Sequence, residues 1–241
     1  MNKMKVDILA IGVHPDDVEL GCGGTILKQI ALGYKVGIVD LTQGELGTNG
    51  TAKTRKKEAE SARKYAGVVA RENLKMADGF FENNKANKLK LIKAIRKYQP
   101  DIVLANAITD RHPDHGRAAL LIKEACFLAG LIKIKTSVGK KKQDKWRPRK
   151  VFHFIQDYHI EPDVVVDISG YMTKKIKLVQ CYETQFHNSR RKNISTPISS
   201  KNFLDTLTGR AIAHGRRIGA DYGEGFTCEE YIGTDDLMKV L

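Results

Sequence analysis

The 241-residue sequence contains few cysteines and no long apolar run. Its four cysteines lie far apart without a CxxC pair, so neither a disulfide framework nor a thiolate zinc site is indicated. No stretch approaches the roughly 18 to 20 uncharged apolar residues that a membrane-spanning helix needs. The N-terminus runs directly into a strand-like segment and carries no targeting pattern, which predicts a cytoplasmic protein. The length, with 41% hydrophobic and 29% charged residues, suits one globular domain over residues 1–241.

Positive charge is abundant but unevenly distributed. The formal net charge is +13, and residues 131–150 hold nine Lys or Arg against one Asp, a net +8. A basic face that binds nucleic acid is one interpretation of this excess. The favoured alternative is a solvated loop between two core elements, because Gly139, Pro148 and the lysine run are typical of loops.

Apolar runs, polar loops and helix-like segments alternate along the chain. Strands are predicted at residues 6–13, 36–41, 74–76, 102–105, 151–155 and 164–168. Helices are predicted at residues 19–32, 51–66, 87–98, from the segment after residue 115 to about 129, 171–182 and 203–218. This recurrence predicts an α/β fold with a mostly parallel sheet, helices on both faces, and a site at the carboxyl ends of the strands.

Two clusters of histidine and aspartate each follow a predicted buried strand and precede a helix: residues 14–17 (HPDD) and residues 112–115 (HPDH). Parallel strands place such loops side by side at one edge of the sheet. Imidazole nitrogens and carboxylate oxygens are the ligands expected for zinc or a similar divalent ion, and a catalytic zinc takes three protein ligands. The alternative is that each cluster is only a turn with a helix cap.

Three further residues are candidates by position. Glu45 lies in the loop after the second predicted strand, from which it can reach the same sheet edge. Arg55 lies near the start of the following helix, either facing the site or as one of several solvated basic residues there. His187 has no spacing argument: a surface position is favoured, and the mouth of the site is the alternative.

Three motifs together resemble a known enzyme family. They are V-H-P-D-D at residues 13–17, T-x-G-E-x-G-T at residues 42–48 and H-P-D-H at residues 112–115. The chain resembles the zinc-dependent N-acetylglucosaminyl deacetylases of the LmbE or PIG-L type from about residue 6 to about residue 226. Within them it is most similar to the members that remove acetate from N-acetylglucosaminyl malate in bacillithiol biosynthesis. The resemblance implies a Rossmann-like, three-layer αβα fold, one catalytic Zn²⁺ per chain and a homohexamer. Val13 departs from the pattern, since Ala is common there.

The resemblance also implies residue roles. His14, Asp17 and His115 fall on the positions of the zinc ligands. Asp16 falls on the position of the general base, and His112 on that of the histidine that stabilises the oxyanion. Water activated by zinc is a usable nucleophile at neutral pH, and the metal with a protonated His112 would face the negative charge that develops on the carbonyl oxygen.

Roles for three other residues are argued from their position and chemistry and not from the resemblance. Asp114 is expected either to orient or charge an imidazole or to cap the following helix. Arg55 is expected to bind the carboxylate of an anionic aglycone such as malate, because a guanidinium matches a carboxylate bidentately. Glu45 is a further candidate substrate-binding residue. The predicted partner is thus a small sugar conjugate.

Overall fold

The computed structural model describes residues 4–186 and 194–240. Within these residues the strands are β1 (Ile8–Gly12), β2 (Val36–Thr42), β3 (Ala70–Met76), β4 (Ile102–Ala105), β5 (Ser137–Val138), β6 (Lys141–Lys142), β7 (Lys150–Phe154), β8 (Val164–Asp167) and β9 (Gly223–Thr227). The helices are α1 (Asp17–Ala31), α2 (Ala52–Ala66), α3 (Lys85–Tyr98), α4 (Pro113–Ala129), α5 (Met172–Val179) and α6 (Phe203–Arg217). No helix in these ranges has both the length and the apolar character needed to cross a membrane.

Seven strands form one sheet in the order β3-β2-β1-β4-β7-β9-β8. The central strand β1 is parallel to both neighbours, with Ile8 opposite Val36 of β2 and Ile102 of β4. Strand β7 continues the parallel arrangement beside β4, whereas β9 runs antiparallel between β7 and β8. The carboxyl ends of five parallel strands, β1 to β4 and β7, therefore share one edge.

Helices cover both faces of this sheet. On one face, α1, α2, α5 and α6 contribute to a core that includes Ile26 and Leu178. On the other face, α3 and α4 contribute to a core that includes Leu91 and Leu121. The three-layer αβα arrangement predicted from the sequence is confirmed.

Two strands of the seven-stranded sheet differ clearly from the sequence prediction. Strand β3 begins at residue 70, before the predicted residue 74, because its first residues include polar ones that hide the apolar signal. Strand β9, with the sequence GEGFT, was not predicted at all. Its glycines are required by packing, since a Cβ atom at Gly225 would lie 2.8 Å from Cε1 of His214 on α6.

The basic segment 131–150 is mostly an exposed loop. It contains the two-residue strands β5 and β6, in whose connection Gly139 has a φ of 57°, and it ends on the first residue of β7. None of its residues lines the pocket described below. The excess positive charge therefore lies away from that pocket.

Candidate active site

A pocket of about 350 Å³ opens at the carboxyl edge of the sheet. Both His/Asp clusters line it, together with the loops after β2, β3 and β7 and the inner face of α6. The residues predicted from separate stretches of sequence are thus brought to one place by the parallel register of the strands.

The first cluster is a tight turn between β1 and α1. Asp17 Oδ2 accepts hydrogen bonds from the backbone N–H groups of Val13 (3.1 Å) and His14 (2.9 Å), which fixes the carboxylate against the turn. Asp16 has a φ of 133°, a conformation that L-residues rarely adopt and that costs free energy. Strained backbone of this kind is concentrated at functional sites.

His14, Asp17 and His115 form a compact group of possible metal ligands. One donor atom from each lies within 4.8 Å of the others. His14 Nδ1 is 3.5 Å from Asp17 Oδ2, and His115 Nε2 is 3.3 Å from Asp17 Oδ1. His115 Nε2 is also buried without a hydrogen bond to any described residue. Two imidazoles and a carboxylate are a donor set that zinc accepts.

In both His14 and His115, the ring nitrogen that faces away from Asp17 contacts a second carboxylate. Asp78 Oδ1 lies 2.9 Å from His14 Nε2, and Asp110 Oδ2 lies 2.6 Å from His115 Nδ1. Such contacts fix the orientation and tautomer of a ligating ring. Sequence reasoning missed both. The available signal for Asp78 was its place in an Asp-Gly pair after the third parallel strand, and for Asp110 its place in the same loop as the second cluster.

Two buried amides hold Asp17 from the other side. Asn106 Nδ2 and Gln156 Nε2 each donate a hydrogen bond of 3.2 Å to the Asp17 carboxylate. Asn106 Nδ2 also donates to Gln156 Oε1 at 2.9 Å. They follow β4 and β7 without any local motif, so nothing in the sequence identified them.

Asp16 and Asp17 differ sharply in protonation. Burial raises the pKa of Asp16 to about 7, against the lowering effect of the nearby Arg55 guanidinium. Burial acts on Asp17 in the same direction, but the positive charges of His115 and His14 hold its pKa well below the usual range. Asp17 is therefore a permanent carboxylate, and Asp16 titrates near the pH at which a general base is most effective.

His112 is the first residue of the second cluster and the N-cap of α4. Its Nδ1 accepts a hydrogen bond from the backbone N–H of Asp114 at 3.3 Å, so a neutral ring carries its proton on Nε2. Burial lowers the pKa of His112, and the charges of His14 and His115 lower it further. This favours a neutral imidazole, which differs from the protonated form expected from the sequence, yet still leaves an N–H donor.

Asp114 is fully buried but does not cap α4, because His112 occupies that position. Its Oδ1 accepts from Arg117 Nη1 at 2.7 Å and its Oδ2 from the backbone N–H of Gly79 at 2.8 Å. The Asp114 carboxylate thus ties the loop after β3 to α4, and it makes no hydrogen bond to an imidazole within the described chain. Its negative charge still raises the pKa of His112 slightly against the dominant lowering effects.

Arg55 is neither a solvated helix residue nor free toward the pocket. Only 4% of its surface is exposed. Its Nη2 donates to the carbonyl oxygen of Pro15 at 2.5 Å and lies 3.1 Å from Asp16 Oδ2. The guanidinium therefore supports the candidate general base directly.

Glu45 is a correction to the sequence prediction. Its side chain does not line the pocket. Its Oε1 accepts from the backbone N–H of Asp78 at 3.0 Å and its Oε2 from that of Gln43 at 3.1 Å. Glu45 thus joins the loops after β2 and β3, although its neighbours Gly44 and Leu46 line the pocket. His187 lies outside the described residues.

The chain is similar to known proteins in the region that forms this site. A family model described as PIG-L: GlcNAc-PI de-N-acetylase matches residues 9–126, which include both clusters. The chain is also 31% identical to the diacetylchitobiose deacetylase of Thermococcus kodakarensis over 189 residues, covering 74% of this chain and 70% of that enzyme. The chain belongs to the PIG-L family. This PIG-L family member is an enzyme of the deacetylase type.

Two further comparisons bear on the fold and on the reaction. The conserved protein TT1542 from Thermus thermophilus superposes with a TM-score of 0.84 at 32% identity, covering 95% of this chain and 97% of that one. The 4-oxalmesaconate hydratase of Pseudomonas putida is 27% identical over 204 residues, covering 78% of this chain and 77% of that enzyme. Relatives of this PIG-L family member thus include a hydratase, so an assay must separate the two reactions.

Proposed function

We propose that this protein is a zinc-dependent hydrolase that removes the acetyl group from an N-acetylglucosamine conjugate, specifically N-acetylglucosaminyl malate. The observation that carries the proposal is the joint placement of the His14, Asp17 and His115 group and the buried Asp16 in one pocket. The deacetylase of a diacetylated sugar among the relatives supports an N-acetylated sugar as substrate. The narrower resemblance of the chain to the N-acetylglucosaminyl-malate deacetylases favours the malate glycoside.

The donor set fits a zinc ion, and His14, Asp17 and His115 would hold it. The supporting observation is His115 Nε2, a buried nitrogen that lacks a hydrogen-bond partner in the described chain and faces Asp17. When bound, zinc supplies a Lewis acid that polarises an amide carbonyl and makes water a nucleophile at neutral pH.

The side chains around this group would move the protons. Asp16 Oδ2 is held by Arg55, so Oδ1 is the oxygen that accepts the proton of the attacking water. The protonated Asp16 then passes that proton to the nitrogen of the leaving amine, so that one water is consumed and acetate and a free amine are released. The Nε2–H of His112 donates to the developing oxyanion.

Metal analysis and acetate release test the proposal together. We expect about one zinc per chain in the purified protein, and acetate release fastest from N-acetylglucosaminyl malate in a panel with N-acetylglucosamine and diacetylchitobiose. Fastest release from another panel member would favour the alternative, a deacetylase of a different N-acetylated sugar or small acetamide. No acetate from any substrate, with hydration of 4-oxalmesaconate instead, would refute the deacetylase proposal. RNA binding that survives metal removal would favour the nucleic-acid alternative.

The proposal extends to assembly and location. By family resemblance we propose a homohexamer in the cytoplasm. Light scattering on the purified protein measures the first, and fractionation of the source cells measures the second. A monomer in solution, or a protein found outside the cytoplasmic fraction, would contradict the respective part.

A further inference from the structure

Three arginines line the pocket, and they differ in their partners. Arg55 is paired with Asp16 at 3.1 Å, and Arg111 with Asp157 at 2.6 Å. Arg210, on α6, has no carboxylate within ion-pairing distance among residues 4–186 and 194–240. Its hydrogen bond in that part of the chain is a weak one of 3.4 Å to the carbonyl oxygen of Asp157.

Arg210 is also partly removed from water. It is half-buried between the pocket and the core, and burial lowers the pKa of its guanidinium. A desolvated cation without a counter-charge is costly unless a partner is supplied. A guanidinium carries five N–H donors, and the bond to the Asp157 carbonyl uses only one of them.

The nearest carboxylates are already occupied by other donors. Asp157 Oδ2 accepts from Arg111 Nε at 2.6 Å. Asp110 Oδ1 accepts from the backbone N–H groups of Asp157 and Tyr158, both at 2.9 Å, while its Oδ2 contacts His115. These groups act on Arg210 only at longer range. No hydrogen bond to another described residue uses its remaining donors, which a ligand in the pocket could engage.

We propose that Arg210 binds a carboxylate on the substituent that the substrate carries beyond its acetylated sugar, and thereby selects acidic conjugates over neutral ones. The inference rests on the proposed function. Arg210 is on the α6 wall, whereas the His14, Asp17 and His115 group lies at the sheet edge. A substrate with its acetamide at the sheet edge would extend its substituent toward α6. The planar fork of a guanidinium fits a carboxylate bidentately, which a lysine cannot reproduce.

The test separates binding from turnover by using the deacetylated products, which the enzyme cannot hydrolyse. Calorimetry on the zinc-loaded protein compares glucosaminyl malate with methyl glucosaminide. We expect the wild type to bind the acidic glycoside roughly 10- to 100-fold more tightly, the range for a charge-assisted hydrogen bond. Arg210→Gln should abolish this preference, and Arg210→Lys should retain only part of it. Arg216→Gln is the matched control, because it removes the same charge from an exposed position of the same helix.

Each result decides one of the two proposals. A wild type without preference for the acidic glycoside, or Arg210→Gln with an unchanged preference, would overturn the role of Arg210. If Arg210→Gln weakened both glycosides equally, Arg210 would serve the fold and the proposal would also fail. Absence of acetate release by the wild type would count against the proposed function, while the binding preference would still decide the role of Arg210.

Discussion

Asp16 and Asp17 are adjacent carboxylates to which their surroundings give different chemistry. Asp17 faces two imidazoles and stays ionised, whereas burial brings the pKa of Asp16 to about 7. The sequence motif placed both residues in the site, and the resemblance assigned their roles. The groups that orient the site, Asp78, Asp110 and Asn106, act through tertiary contacts between loops, and no local motif identifies Asn106.

We expect Asp16→Asn to retain zinc and fold but to lose turnover by about 10²- to 10⁴-fold, because an amide cannot accept the proton. Zinc content, thermal unfolding and kcat measure these effects. Asp17→Asn is the contrasting variant and should lose zinc, since a site with three protein ligands has no spare one. Near wild-type turnover by Asp16→Asn would remove Asp16 from the mechanism.

Arg55→Gln should lower kcat/KM on acidic and neutral conjugates to a similar extent. The guanidinium lowers the pKa of Asp16, so its removal should shift the acidic limb of the pH profile upward. A base acts only when deprotonated, and therefore the variant should recover activity as the pH rises. A loss confined to the acidic conjugate would instead support the role as anion-binding residue that the sequence predicted for Arg55.

Metal affinity should rise with pH. Burial alone would lower the pKa values of both ligand histidines, but Asp17 with Asp78 raises that of His14 to about 10, and Asp17 with Asp110 raises that of His115 to about 9. A metal needs the unprotonated nitrogens, so protons compete with zinc below these values. Chelator competition between pH 6 and 9 should show affinity increasing with pH, by up to about tenfold per unit for each proton released. A pH-independent affinity would contradict this.

At the scale of elements, helices α1 and α4, which follow the two clusters, were predictable from the sequence. The contact that joins α4 to the loop after β3 was not. Helices α1 and α4 follow continuous apolar strands and begin with residues that mark a helix start. The contact from Asp114 to Gly79 joins α4 to the loop after β3. It depends on where that loop lies once β3 has paired with β2, which no local pattern encodes.

Asp114→Asn should destabilise the protein by about 1 to 3 kcal/mol, because it weakens two hydrogen bonds in a fully buried position. Denaturant unfolding of Asp114→Asn, Arg117→Gln and the double variant measures the effect. The two losses should not add, since both substitutions break the same contact. Full additivity would show that Asp114 and Arg117 act independently.

At the scale of the whole molecule, the buried Glu224 connects β9 both to α5 and to the first helix. Glu224 of β9 lies 2.6 Å from Lys175 Nζ of α5, and both side chains are 3% exposed. Glu224 also accepts hydrogen bonds from the backbone N–H groups of Gly24 (2.9 Å) and Thr25 (2.6 Å) within α1. β9 was missed from the sequence because two of its five residues are glycine and a third is glutamate, and both residue types are uncommon in strands. The fold accommodates the glutamate by burying it in this ion pair.

Glu224→Gln should destabilise the fold by about 3 to 5 kcal/mol, the cost of leaving a buried lysine without its counter-charge. The variant Glu224→Gln/Lys175→Met should recover part of this loss, because it removes the stranded charge. Chemical denaturation of the single and double variants tests both statements. Equal stability of wild type and Glu224→Gln would mean that the pair contributes nothing to the fold.

The proposed metal-binding and proton-transfer groups and the proposed anion-binding residue come from different parts of the pocket. The groups that would hold the metal and move the proton all lie within residues 14–115, whereas α6, which brings Arg210 to the pocket, begins at Phe203. If Arg210 selects the conjugate as proposed, mutations in α6 would change which conjugate is accepted and leave the reacting groups in place. After gene duplication, substitutions in α6 would then be a simple way to acquire new substrates, because the reacting groups are encoded in a separate part of the gene.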